Sequence, residues 1–248
     1  MTKHVVGLPN PYGSLLLREL NHRMDNELTC AICTVSANAM ESDNVAVKAA
    51  LLDVVELLHQ FADVHRALHI PDQERLTNVA KYLQQVCLSV AKYRLERQAI
   101  PVLFSADELR LEGERCWKLG LIVSELLTNV ARHARFGARP PELRVELMLA
   151  GGIVKCRVCD NGSTSESFQR RGGLAIVGEL ASSLGGRVHT SCAAEGSAFL
   201  VTFPLTHTEQ RDAAATHVVL FKRRKIRRPQ RLQISGSKTL GIEQATNA

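Results

Sequence analysis

Three groups of residues in this chain have types and spacings that can do chemistry. The first centres on His22 within Leu15 to Val35, LLLRELNHRMDNELTCAICTV. An exposed imidazole titrates near neutral pH and keeps a lone pair free to attack an electrophile, and a carboxylate one turn back, here Glu19, can orient its ring. A solvated surface histidine would look the same, since one residue is not a motif. The second group is Glu125, Asn129 and His133 in SELLTNVARHA, spaced i, i+4, i+8 along one helical face. Asn129 offers an amide oxygen for Mg²⁺, Glu125 can polarise a water or the metal's shell, and Arg132 or His133 can meet phosphate oxygens. An ordinary solvated helix face is the plain alternative. The third group is Asp160-Asn161-Gly162 at the end of an apolar run. Its carboxylate can accept from an exocyclic amine such as that of adenine, with Gly162 letting backbone approach, although such tripeptides also make common turns. Downstream, Gly172 and Gly173 open a helical pattern and leave amide groups free for an anion, and Gly196 precedes the last strand.

These groups must be positioned by elements that the hydrophobic periodicity marks out. Leu17, Leu20, Met24, Leu28, Ile32 and Val35 recur at three- and four-residue steps and predict a helix from a cap at Ser14 to about Met40. At about 100° per residue, His22 falls on the opposite side of that stripe, with Glu19, Arg23 and Asn26. A polar turn, Glu41 to Asn44, leads to a second helix over Val45 to Leu68, whose seam is Leu51, Val54, Leu58, Phe61, His65 and Leu68. His65 reads there as packed or solvated, not as a ligand. Two helices joined by a short turn form an antiparallel hairpin, and pairing with a second copy into a four-helix dimer buries its seams best. Pro71 interrupts the pattern and puts the domain boundary at residues 70–78.

The second half reads as alternating helices and strands. Helices are expected over Asn78–Leu95, Gly113–Arg135 and Leu174–Leu184, the last stopped by Gly185-Gly186. Strands are expected over Ala99–Phe104, Leu143–Leu149, Ile153–Cys159, Arg187–Cys192 and Ala198–Phe203, with Gly151-Gly152 turning a hairpin. The fold class is therefore α+β: a helical hairpin, then an α/β sandwich with helices on one face of a mixed sheet. The expected organisation is a disordered lead at 1–13, the hairpin at 14–72, the sandwich at 73–206 and a basic disordered tail at 207–248.

Composition sets outer bounds. The net charge of +6 looks like a nucleic-acid signal until it is split. Residues 211–248 hold nine Lys/Arg and two Asp/Glu, leaving 22 and 23 for residues 1–210. The excess is a tail property, and no specific nucleic-acid partner is expected of the fold. There is no apolar run of bilayer length and no apolar signal region at the start, so a cytoplasmic protein without a sensor domain or transmembrane segment is expected. The seven cysteines, an odd number, are expected to stay reduced. The pairs Cys30/Cys33 and Cys156/Cys159 read as buried small hydrophobes, since a helix and a strand far apart do not make a zinc site.

Taken in order, the motifs resemble the sensor histidine kinases, and among them the HisKA_2/HWE-like subgroup. His22-Arg23-Met24-Asp25-Asn26-Glu27-Leu28 is similar to its phosphoacceptor box, with Asp25 and Glu27 where the box carries lysine and asparagine. Glu125 to Ala134 resembles the asparagine box of the GHKL (Bergerat) ATPase fold. Asp160 to Gly162, Gly172 to Val177 and Gly196-Ser197 resemble its three glycine boxes, with Ser163-Thr164-Ser165 in place of a further glycine and a nine-residue loop before Gly172. The resemblance implies ATP in the sandwich with adenine on Asp160, Mg²⁺ on Asn129, and transfer of the γ-phosphoryl to His22 and then to an aspartate of a response-regulator receiver. Glu19 and Asn26 would orient and shield His22. It leaves open an ATP-independent dimeric histidine phosphotransferase with a degenerate ATPase domain, and a scaffold in which both chemistries are lost.

Overall fold

The computed structural model describes residues 11–71, 76–137, 139–163, 172–193, 196–220 and 230–232. Helix α1 (Pro11–Glu41) and helix α2 (Val45–Ala67) pair as the antiparallel hairpin. α1 starts at Pro11, ahead of the expected Ser14 cap, because the fixed φ of proline suits a first helical position. Asn44 caps α2, its Oδ1 accepting from the amides of Ala46 at 3.0 Å and Val47 at 3.3 Å.

The apolar stripe divides along the hairpin. Leu28, Ile32, Val35 and Ala39 of α1 withdraw from water, as do Leu51, Leu58 and Ala62 of α2. Leu20, Met24, Val54 and Phe61 belong to the same periodic seams yet remain exposed in the single chain, Leu20 by 52%. The periodicity therefore marks more apolar surface than one hairpin covers. The lower part of α2 is covered from the other side. The Phe61 and Tyr93 rings meet edge-on at 6.0 Å, Lys92 Nζ lies 3.4 Å from Glu56 Oε1, and Val64, Ala67 and Leu68 pack onto the core of the second unit.

That unit begins with β1 (Thr77–Asn78), which pairs with β3 (Arg110–Leu111), and with α3 (Val79–Val90), capped by Asn78. α3 loosens into a π-helical turn at Ala91–Leu95 and a 3₁₀ turn at Glu96–Gln98, ending at Ala99 with φ 52°. There follow β2 (Val102–Ala106), α4 (Gly113–His133), β4 (Leu143–Ala150), β5 (Ile153–Asp160), α5 (Gly172–Ser183), β6 (Arg187–Ala193) and β7 (Gly196–Pro204). After them come α6 (His207–Leu220) and β8 (Gln230–Arg231). The strands form one sheet in the order β6-β7-β5-β4-β2-β8, parallel only between β2 and β4. Alternation along β5 and β7 turns Val154, Cys156, Val158, Phe199, Val201 and Phe203 into the core, where they share one cluster with Leu119, Ile122 and Leu126 of α4. In this register Asp160 stands opposite Leu143 of β4 and Ser197 of β7, at the end of a central strand.

The stretch read as a disordered tail is partly folded. Glu209 of α6 is fully buried and accepts from Arg115 Nε at 3.0 Å and from the amides of Glu112 at 3.0 Å and Thr206 at 2.8 Å. Arg115 in turn donates to the Leu184 and Pro204 carbonyls at 3.2 and 2.6 Å. β8 pairs antiparallel with β2, Leu103 opposite Arg231. The sandwich thus continues past residue 206, because one buried acid and a two-residue strand outweigh a local excess of charge that net-charge reasoning alone would assign to disorder. Expectations for residues 1–10, for the domain boundary at 72–73, for the loop from Thr164 to Arg171 and for the basic run at 221–229 lie outside the described residues. Among those described, no helix is long and apolar enough to cross a membrane.

Candidate functional site

His22 is exposed on α1, on the side away from Leu28 and Ile32, and lines an open cleft of about 370 Å³ with Arg18, Asn21, His69 and Ile70. Its ring is accessible to a partner. Glu19 does not orient it: Glu19 Oε1 instead accepts from Arg23 Nε at 3.2 Å, an i, i+4 ion pair on the exposed face. Asn26 is exposed on the next turn. The cleft wall opposite α1 comes from His69 and Ile70, just past the end of α2.

The helix α4 presents Asn129, 8% exposed, and the half-buried Glu125 and His133; Arg132 is exposed at its C-terminal end. Their neighbour is the first turn of α5. A Cβ at Gly173 would collide with the Glu125 carboxylate and would sit 3.5 Å from Asn129 Nδ2. Only glycine lets the N-terminus of α5, with its free amide groups, lie directly on this polar face. Gly172 opens the same helix.

Asp160 is 8% exposed. Its Oδ1 accepts from the Gly162 amide at 2.8 Å, whereas Oδ2 is buried and has no hydrogen-bond partner among the described residues. Burial raises the Asp160 pKa above the ordinary carboxylate value, opposed by hydrogen bonds from the Gly162 amide and Ser197. A buried acceptor without a donor is costly, and an exocyclic amine would satisfy it. The glycines around it are packed tightly. A Cβ on Gly162 would lie 2.9 Å from Ala134 Cβ and 3.1 Å from Phe136 Cε1. One on Gly196, whose φ is +153°, would run into the Asp160 carbonyl oxygen. Reciprocal backbone bonds between Arg135 and Ser163, 3.0 and 2.8 Å, clip the loop after β5 to the end of α4. The fold thus gathers Glu125 and Asn129 with Gly173, and Asp160 with Gly162 and Gly196, at one end of the sandwich. None of these lines the cleft at His22.

The residues present fit the groups the sequence implied. Asn129 carries a neutral oxygen of the kind Mg²⁺ accepts, and Asp160 Oδ2 is a buried acceptor of the kind an exocyclic amine would satisfy. Three of the described cysteines are withdrawn from chemistry by burial. Cys87, Cys116 and Cys156 are buried, and burial pushes the Cys156 thiol up to about 12. Cys30 and Cys33 are exposed on α1, contrary to the reading of both pairs as buried; their side of the stripe is one that a single hairpin leaves uncovered. Sequence reasoning also missed a grouping at the base of the hairpin, where Asp25, His65 and His69 converge. The i, i+4 spacing of the two histidines was the available signal.

Known proteins share this architecture. Residues 19–93 match the HisKA_2 model, described as histidine kinase, and residues 117–207 match HATPase_c, the histidine kinase-, DNA gyrase B- and HSP90-like ATPase. The chain is 26% identical over 202 residues to the blue-light-activated histidine kinase 2 of Erythrobacter litoralis (strain HTCC2594), covering 77% of this chain and 57% of that protein. It therefore spans little more than half the length of this curated relative. Among solved structures, the histidine kinase domain from the Erythrobacter litoralis EL346 blue-light-activated histidine kinase aligns with a TM-score of 0.53 at 20% identity. That match covers 75% of this chain and 98% of the domain. A longer structure of the same kinase aligns with a TM-score of 0.51 at 19% identity, covering 77% of this chain and 61% of the other. With the HisKA_2 match over the hairpin and the HATPase_c match over the sandwich, the chain belongs to the sensor histidine kinases of the HisKA_2/HWE-like subgroup, with a GHKL-type ATPase domain.

Proposed function

We propose that this protein is an ATP-dependent protein-histidine kinase that phosphorylates itself on His22 and passes the phosphoryl group to an aspartate of a response-regulator receiver. The observation that carries the reading is the buried, partnerless Oδ2 of Asp160 beside the Glu125–Asn129–Gly173 face. A relay protein that never met ATP would have no use for an uncompensated acceptor at that place. In this reading Asp160 and Gly162 hold the adenine, Gly172, Gly173 and Gly196 give the phosphates and backbone their close approach, and Arg132 and His133 meet phosphate oxygens. Asn129 holds Mg²⁺, which supplies neutralisation of phosphate charge when bound.

The transfer itself asks little reactivity of the protein. A ring nitrogen of His22 forms a bond to the γ-phosphorus as the bond to the β–γ bridging oxygen breaks, ADP leaves, and the displaced ring proton passes to solvent. Positioning and charge neutralisation make up nearly all of the catalysis, with Glu125 polarising water or the metal's shell. Since the His22 cleft shares no residue with the Asp160 end, the sandwich must approach the hairpin of its own chain or of a partner. The exposed Leu20, Met24, Val54 and Phe61 favour a homodimeric four-helix bundle, in which they would be covered. The proposed location is the cytoplasm.

The test is incubation of the purified chain with γ-labelled ATP and Mg²⁺ beside His22→Ala, scoring acid-labile, base-stable label. Label on the wild type alone is expected. Label retained by a folded His22→Ala overturns the assignment of His22. No label on either, followed by labelling from a phosphorylated receiver, replaces the kinase with an ATP-independent phosphotransferase.

A further inference from the structure

We infer that Asp25, His65 and His69 form a binding site for a divalent transition-metal ion of the zinc class, at the base of the hairpin next to His22 but not including it. Asp25 lies on α1 one turn after His22, His65 in the last turn of α2, and His69 just beyond it. Asp25 Oδ1 is 3.2 Å from His65 Nδ1, and Oδ2 is 3.1 Å from His69 Nε2. One ligand atom from each residue lies within 4.8 Å of the others. Two imidazoles and one carboxylate are the donor set that Zn²⁺ takes at sites with three protein ligands and a fourth position open.

A plain hydrogen-bonded cluster does not account for all three groups. The His65–Asp25 contact is a hydrogen bond. The His69 contact is close but misaligned: Nε2 is buried and lacks a hydrogen-bond partner among the described residues. Buried ring nitrogens are ordinarily satisfied, and a cation at the point of convergence would satisfy this one and both Asp25 oxygens' neighbours together. Bonds of roughly 2.0–2.2 Å to a tetrahedral ion place ligand atoms roughly 3.3–3.6 Å apart. Each imidazole nitrogen is already close to that distance from its nearer carboxylate oxygen, and binding through a single oxygen asks the Asp25 carboxylate to turn towards both. The side chains of Asp25, His65 and His69 are 26, 22 and 37% exposed, enough to admit an ion.

The position gives the site a consequence. His69 also lines the cleft of His22. A metal held on it would tie α1, the end of α2 and the segment leading into the sandwich together, fixing one wall of the cleft. The inference stands on these three residues and holds whatever reaction His22 performs.

The test uses the full chain carrying Cys30→Ser and Cys33→Ser, which removes the two thiols exposed among the described residues, after chelator treatment. Co²⁺ uptake is followed by visible absorption and Zn²⁺ uptake by calorimetry. The expected result is one saturable equivalent per chain with a nitrogen/oxygen-type cobalt spectrum. Changes in the surroundings of a metal ligand already weaken binding by about 10–100-fold, so removing a ligand in His65→Ala or His69→Gln is expected to cost at least about 100-fold. His69→Gln lies past the helix end and keeps the hairpin intact, and circular dichroism checks both variants. His22→Ala should bind as the parent does, which separates this site from the phosphoacceptor. Absence of saturable uptake, affinity unchanged in both histidine variants, a thiolate-to-cobalt charge-transfer band, or loss of binding in His22→Ala each overturns the proposal.

Discussion

Replacing Asp160 by asparagine keeps the side chain's shape while exchanging its partnerless oxygen for a donor. In the wild type Oδ1 is held by the Gly162 amide at 2.8 Å and Oδ2 has no hydrogen-bond partner among the described residues. If Oδ2 receives an adenine amine, the variant sets donor against donor. Hydrogen bonds to charged groups contribute about 1.5–3 kcal/mol, so ATP affinity should fall about 10- to 150-fold. Stability without nucleotide should move the other way. The folded pKa of Asp160 is raised above 3.8, mainly by burial, so the carboxyl's contribution is fully present below pH 3.8 and is lost as pH rises through the folded value. At pH 7 the ionised group is a net cost that asparagine does not carry. Asp160→Asn should therefore be at least as stable as the wild type at pH 7, with the difference narrowing or reversing towards pH 4. Nucleotide titration by calorimetry and urea unfolding at the two pH values measure both effects. Undiminished ATP affinity, or a variant less stable than the wild type at pH 7, refutes the reasoning.

Further outcomes follow from the same geometry. Asn129→Asp should weaken Mg·ATP binding, by placing a charge among phosphates, yet spare transfer from a phosphorylated receiver to His22; filter binding and a receiver transfer assay distinguish the two. Gly173→Ala gains helix propensity of about 1 kcal/mol but drives a methyl group into the Glu125 carboxylate. Its melting temperature should hold while the autophosphorylation rate falls, and an unchanged rate would separate Glu125 from the reaction. Glu209→Ala leaves Arg115 largely buried without its partner, so denaturant unfolding should show a loss of about 3–5 kcal/mol. A loss under 1 kcal/mol would show that α6 is not part of the folded unit.

What the sequence determined by itself was whatever local rules can carry. Three- and four-residue steps defined α1, α2 and α4, and placed His22 on the exposed side of α1 without any knowledge of what α1 meets. The i, i+4 spacing of Glu125 and Asn129, the strand ending at Asp160 and the glycines at Gly172, Gly173 and Gly196 carried the candidate site and the family, since each constraint is written within a few residues. Tertiary structure decided the rest. Glu19 pairs with Arg23 one turn on and not with His22, a choice between two local partners that spacing alone leaves open. Asp25 meets His65 across 40 positions, and Arg115 meets Glu209 across 94. Neither pairing leaves a periodic trace, because chain reversal and sheet order set it, not the repeat of helix or strand. For the same reason a basic tail concealed α6 and β8. Composition averages over a segment, whereas a single buried carboxylate with three donors is enough to fix it to the fold.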